Sequence, residues 1–441
     1  MFGKFLRKNR EPAQPSAAGT PPPRFSAPRG IGNLGTVIVP RSAAERAADP
    51  ATAYDLVQAV INFVNAMTRD GLYSRFEIPA KAMQAYHADF YLAQVNNGGH
   101  SQFISNGHDN LPYILADVRA ALTVMPAPAH LAILEQMAAW VAQHPDEAAQ
   151  QTGFVGGRAP FLDELDKRFY AADKAQPMIQ QSARWIASWP ELKVVDDADY
   201  VEAIRRTLMM NPLREARLVS RSVAHLSQQM TEWFPVGVGL ACANGPQTEM
   251  KLAIGGGSMM AIEGRQQMAF LVRTNASEPR FCVVSEKHAA LYERVAADNP
   301  PMPALGDVEG LKQAVADGRL ARYQGPSVGR KLSHIEAKTI AGVIELAKQY
   351  RAPVALDLLL RRAKLDPEGA VVAPLSIGPK PGGMAIEWLV VAGGQALFAV
   401  SAPRGSLLLR HGDDQALATL RTPEIEEHVA RVEAGTVKPP A

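Results

Sequence analysis

The chain has 441 residues, a formal net charge of +2, 47% hydrophobic residues and 20% charged residues. That balance is ordinary for a soluble globular protein, and it excludes a chain-wide field of either sign that would by itself draw nucleic acid or an acidic partner. The two cysteines, Cys242 and Cys282, sit in apolar runs and read as small core residues, which excludes a disulfide scaffold and fits a cytoplasmic setting.

Residues 1–50 hold eight of the 33 prolines, and eight basic against three acidic residues, a balance of +5. With few large apolar side chains, this basic Pro-rich tail is expected to stay disordered. Lys4, Arg7, Lys8 and Arg10 lie among Phe2, Phe5 and Leu6, a patch too short for stable membrane anchoring. A secretory leader and a membrane span are not expected, because no apolar run has the required length without polar interruption.

Residues 52–190 read as a helical domain. Leu56, Val60, Phe63 and Met67 form one apolar stripe, Leu111, Leu115, Val118 and Leu122 a second, and Leu131, Leu134, Ala138 and Val141 a third. Between the first two stripes, Ala82 to Val95 predicts a helix with Tyr86, Phe90 and Ala93 on one face. Asn97-Gly98-Gly99 is expected to end it in left-handed geometry, at Gly98 above all, and Asn106-Gly107 to close a shorter helical piece. Gln102 and Asn106, four apart, share a face of that piece, and Phe103 anchors it in the core. Side-chain amides beside bare turns serve either to satisfy turn backbone or to form a polar notch for a partner. His100, His108 and Asp109 lack the spacing of metal ligands, and neither metal nor cofactor is expected.

Val95-Asn96-Asn97-Gly98-Gly99, followed by Gln102-Phe103 and Asn106, resembles the signature of the domain named after the bacterial DNA mimic protein 19. Phe161-Leu162-Asp163-Glu164-Leu165-Asp166 with Phe169-Tyr170 is similar to that domain's later acidic-aromatic helix. The resemblance covers about residues 52–190 and departs at Gln94, His100 and Ile104, where Glu, Phe and an aromatic are usual. It implies an all-helical fold and a non-enzymatic protein-binding role. It also implies an acidic surface, here Asp163, Glu164 and Asp166, that could occupy a DNA-binding protein. Charge over 51–190 is nine basic against thirteen acidic residues, or −4, which is mild for DNA imitation.

From residue 191 the pattern changes to α+β. Ala216, Val219, Val223, Leu226, Met230 and Trp233 predict an amphipathic helix. Val236–Ala243, Met250–Ile254, Met259–Ile262, Met268–Val272 and Phe281–Val284 read as strands. Helices are expected from Ile335 and around Leu356–Leu360. Trp388–Ala392, Gly393-Gly394 and Ala396–Val400 predict a hairpin, because a Gly pair fits the primed two-residue turn. Ser406–Leu409 predicts a strand, and residues 413–432 a closing helix with Leu417 and Leu420. Met260-Ala261-Ile262-Glu263 and Met384-Ala385-Ile386-Glu387 suggest an internal duplication. The expected fold class is α+β: an N-terminal all-α domain, then antiparallel sheets in two similar units at 205–300 and 301–436.

Two function classes follow. One is a non-enzymatic interaction or regulatory protein that binds an unknown protein partner, which could be a DNA-binding protein, without touching nucleic acid itself. Its binding residues would be Asn97, Gly98, Gly99, Gln102, Phe103 and Asn106. The other is an enzyme or small-molecule binder, with Cys282 and His288, or Ser333, His334 and Glu336 beside Arg330 and Lys331, in the C-terminal region. The residues Ser333 and Glu336 read equally as the capped start of a helix. No catalytic residue is assigned.

Overall fold

The computed structural model describes residues 32–153, 157–299, 303, 307–319, 324–410, 412, 416–434 and 436. The leader residues Phe2, Lys4, Phe5, Leu6, Arg7, Lys8 and Arg10 lie outside the described residues. The described chain divides into two compact units, with the boundary between Glu215 and Ala216.

The first unit opens with β1 (Val37–Pro40) and α1 (Arg41–Glu45). Val37, Ile38 and Val39 are buried, so the part of the expected tail from Val37 onward is packed structure. These three apolar residues outweigh the prolines around them because they have a partner strand far along the chain. The helices follow as α2 (Ala53–Arg69), α3 (Ala80–Gly107), α4 (Leu111–Val124), α5 (Pro128–Gln143), α6 (Pro145–Ala148), α7 (Pro160–Ala175) and α8 (Met178–Ala187). Then β2 (Leu192–Val195) returns to pair in parallel with β1, Val37 opposite Leu192, and α9 (Asp197–Met209) closes the unit.

The first predicted stripe packs as read, with Leu56, Val60, Phe63 and Met67 fully buried; in the second, Leu111, Val118 and Leu122 are buried, but Ile114 is buried where Leu115 was expected and Leu115 is half-buried. The third is displaced by one step, since α5 buries Ile133, Leu134, Met137 and Trp140. Similarly α3 turns Ala88, Tyr91, Leu92 and Val95 inward, which leaves Tyr86 and Phe90 half-buried and Ala93 exposed. A helix that is apolar at most of its positions offers more than one stripe, and packing chooses between them.

The second unit follows from α10 (Arg214–Thr231), whose seam Val219, Val223, Leu226 and Met230 enters the core. The predicted strand Val236–Ala243 is instead part of α11 (Trp233–Ala243), buried on every side. A short continuous apolar run fits a buried helix as well as a strand, and Pro235 in the first turn favours the helix. Next come β3 (Lys251–Ile262), β4 (Arg265–Thr274), β5 (Arg280–Val284), β6 (His288–Val295), α12 (Val308–Ala316) and β7 (Ser327–Glu336), antiparallel in the order β3-β4-β5-β6-β7. The two strands expected at 250–262 are one strand that runs through Gly255-Gly256-Gly257 with a bulge. The chain repeats the plan with α13 (Ala337–Gln349), α14 (Ala352–Arg362), β8 (Val371–Lys380), β9 (Gly383–Ala392), β10 (Gln395–Ala402), β11 (Gly405–Arg410) and β12 (Ala416–Arg421), then α15 (Thr422–Glu433).

Each half of this unit is two helices followed by a five-stranded antiparallel meander, so the fold is α+β with a plan used twice. The four matching residues do not mark equivalent places. Met260-Ala261-Ile262 ends β3 and Glu263 sits in the following turn, whereas Met384 to Glu387 lies within β9, one strand later in the meander. Leu417 and Leu420 belong to β12 and not to the closing helix. The spans 205–300 and 301–436 share one core, which takes Leu226, Cys282 and Leu291 together with Trp388, Leu397 and Leu408. The β9–β10 hairpin has Gly393 at φ +55° and Gly394 at φ +74°, the primed turn expected from the Gly pair. Among the described residues, no helix is long and apolar enough to cross a membrane.

Candidate functional site

The signature does not end a helix; it kinks one. Gly98 is at φ −149°, ψ 21° and Gly99 at φ 72°, ψ −176°, and α3 resumes at His100. Gly99, and not Gly98, is the left-handed residue. At the far end the positive φ belongs to His108, at 42°, and not to Gly107. A kink leaves backbone N–H groups at the restarted helix without their usual carbonyls. Here Asp166 of α7 supplies the acceptor. Its Oδ1 accepts from the His100 backbone N–H at 2.8 Å and lies 2.5 Å from His100 Nδ1. A carboxylate at the start of a helical segment also meets the favourable end of its dipole.

The other ring nitrogen of His100, Nε2, lies 2.8 Å from the Tyr91 hydroxyl. Tyr91, His100 and Asp166 therefore form a continuous polar chain through the core, walled by Phe103 and Phe169 at ring contacts of 4.8 Å and 5.4 Å from Tyr91. Burial first, then the Asp166 charge, hold the Tyr91 hydroxyl well above its ordinary range. His100 is wholly buried and Asp166 is 5% exposed. Asp166 is thus not part of an acidic surface. It occupies the inward stripe Leu162, Leu165, Asp166, Phe169 of α7. The signal in the sequence is a carboxylate at a core position of an apolar stripe, masked by Asp163 and Glu164 just before it. Ser101 Oγ adds a tie by accepting from the Gly153 N–H at 3.1 Å.

The amides lie outside this chain. Gln94 Oε1 accepts from Gln102 Nε2 at 2.8 Å and from Asn106 Nδ2 at 2.6 Å, so one side chain before the kink clamps two beyond it. Gln102 was expected to bind turn backbone; it binds a side chain because the kink brings Gln94 within reach. Gln94 and Gln102 are half-buried, and Asn97 and Asn106 are exposed. Phe103 is buried as expected. Gln102→Ala should lower stability by about 0.5–1.5 kcal/mol, the range for one partly solvated hydrogen bond, as read in urea unfolding of the full chain. A loss above about 3 kcal/mol would show that the clamp holds the kink together.

On the outer face of α7, Asp163 and Glu164 are exposed, but Lys167 and Arg168 are exposed beside them. Glu164 pairs with Lys167 at 3.1 Å, and Arg158 approaches Asp163 at 4.0 Å. Two acids against two bases leave that face with no net charge. His108 and Asp109 are exposed, in contrast to His100 in the core.

The C-terminal candidates separate in space. Cys282 is opposite Leu291 on the core face of the first sheet, while His288 shares the other face with Val283 and Ala290. Burial, then Cys242, keep the Cys282 thiol well above its ordinary range. His288 instead bonds Ser285 at 3.2 Å and stacks on His334 at 4.9 Å. Ser333 is not a helix cap. It lies within β7 and donates to the Ala241 carbonyl at 2.6 Å, while His334, one residue on, faces the opposite side and contacts Glu336 at 3.1 Å. Arg330 and Lys331 pair with Glu293 and Glu263. Neither a Cys282–His288 nor a Ser333–His334 pair exists.

Comparison with curated proteins finds no match, and neither does comparison with solved structures. Residues 76–189, which span α3 to α8 and contain the kink, Asp166 and the amide clamp, match the family model described as DMP19-like protein, so this chain carries a DMP19-like domain in its helical unit.

Proposed function

We propose that the chain is a non-enzymatic interaction or regulatory protein that holds a protein partner against the amide face of the kinked helix. The observation that carries this reading is the division of the signature's polar groups. Tyr91, His100, Asp166 and Ser101 are consumed by one another and by turn backbone inside the core. Gln94, Asn97, Gln102 and Asn106 stand at the surface with amide donors and acceptors left over. Such groups suit hydrogen bonding to a partner's backbone at the rim of an interface. The alternative inside the same domain family, imitation of DNA, needs carboxylates over a broad face, and the α7 face is balanced in charge.

The test is to capture partners on the full chain and titrate salt on the strongest. Affinity should change by less than about threefold between low and physiological salt, because neutral hydrogen bonds are not screened. It should fall when Asn97 and Asn106 are replaced by alanine. A partner displaced by duplex DNA, with affinity that collapses as salt rises and when Asp163→Asn and Glu164→Gln are introduced, would refute the reading.

A further inference from the structure

The amide clamp fixes which atoms of its three side chains are left for a partner. Gln94 Oε1 takes one N–H from Gln102 Nε2 at 2.8 Å and one from Asn106 Nδ2 at 2.6 Å. Each amide carries one oxygen acceptor and two N–H donors. Gln94 therefore keeps its whole Nε2 donor group, while Gln102 Oε1 and Asn106 Oδ1 keep their acceptor capacity. None of these three atoms has a hydrogen-bond partner among the described residues, and none is sealed from solvent. Gly98 makes room for the set, since a Cβ there would overlap Gln102 Oε1. The exposed amide of Asn97 lies next to it in the chain.

Two acceptors beside one donor group, with no net charge, form a selective pattern. A guanidinium or ammonium brings only donors and a carboxylate only acceptors, so each would leave part of the set unpaired. A helix spends its backbone N–H and C=O groups internally. The free edge of an extended chain presents both in alternation, from every second residue, with a repeat of about 7 Å. Three amides gathered on one oxygen within 2.8 Å cover roughly one such repeat. We infer that the amide face binds an extended segment of the partner by its backbone. Two N–H groups of the segment donate to Gln102 Oε1 and Asn106 Oδ1, and the carbonyl between them accepts from Gln94 Nε2. The inference rests on the interaction reading above and narrows it, because the segment's side chains are not read at these contacts.

The probe is a fluorescein-labelled nonapeptide of alternating serine and valine, whose β-branched residues favour the extended form. Its counterpart is methylated at every backbone nitrogen. Each is titrated with the full chain, and Kd is read by fluorescence anisotropy. The methylated peptide keeps every side chain and carbonyl but has no N–H to give, and it should bind at least about tenfold more weakly. A peptide with threonine in place of serine should bind within about twofold of the first, since no side chain is read. Gln94→Glu still accepts from Gln102 and Asn106 but replaces the free donor group by an acceptor. Affinity should then fall about tenfold while the urea midpoint of the chain holds, and Asn106→Ala should weaken binding severalfold. Equal binding of the methylated and unmethylated peptides, or wild-type binding by Gln94→Glu, overturns the inference. The interaction reading survives that result if captured partners still depend on Asn97 and Asn106. Captured partners indifferent to both amides would overturn that reading, and this inference with it.

Discussion

Gly99→Ala is expected to destabilise the helical unit by about 3–5 kcal/mol, enough to leave a marginal domain largely unfolded. Two penalties combine. An L residue at φ +72° is strained, and a Cβ at this position would come within 2.8 Å of Asp166 Cγ and closer still to its Oδ2. Backing Asp166 away would break its bonds to His100. Gly98→Ala should cost less, but not little. Its φ of −149° is not left-handed, and the Gln102 amide that the added Cβ meets can swing out and give up the clamp, but Gln102 Cβ, 2.8 Å away, can be relieved only by a small backbone shift. Far-ultraviolet circular dichroism during urea titration separates the two. Equal losses would mean that the kink does not depend on close approach of Asp166.

Asp166→Ala is the second large effect. It strips the acceptor from the His100 backbone N–H and from Nδ1 at once, inside a site closed to water. Removing one member of such a buried pair typically costs about 3–5 kcal/mol, because the other member stays behind unsatisfied. Asp163→Ala and Glu164→Ala, exposed on the same helix, should each fall within about 0.5 kcal/mol of wild type. His100→Phe places the residue usual in the resembled signature against Phe169 and Tyr91, and it removes the ring's polar demand. Combined with Asp166→Leu, it should therefore recover part of the loss, which a double-mutant cycle measures. If Asp166→Ala unfolds at the same urea concentration as Asp163→Ala, the buried chain contributes nothing to stability.

Much of the architecture could be read from periodicity. The stripe Leu56, Val60, Phe63, Met67 recurs at helical spacing and packs as read, and the Gly393-Gly394 hairpin follows from a steric rule about positive φ. The errors have a common form. Val236–Ala243 was apolar without a period, so nothing local chose helix over strand. Leu417 and Leu420, three apart, fitted a helix until β11 supplied a neighbour to pair with.

The sequence by itself determined that the chain has a helical part and an α+β part, and that something unusual happens at Asn97-Gly98-Gly99. Glycine adjacency and amides at fixed offsets are local chemistry, and local chemistry is written in order along the chain. Only the tertiary structure decided what the glycines are for. A carboxylate 66 residues away caps the helix that they bend. Which of three neighbouring acids is buried, which glycine must be left-handed and which amides remain free all depend on how α7 packs against α3. That packing is a contest among whole faces, not a property of any one segment.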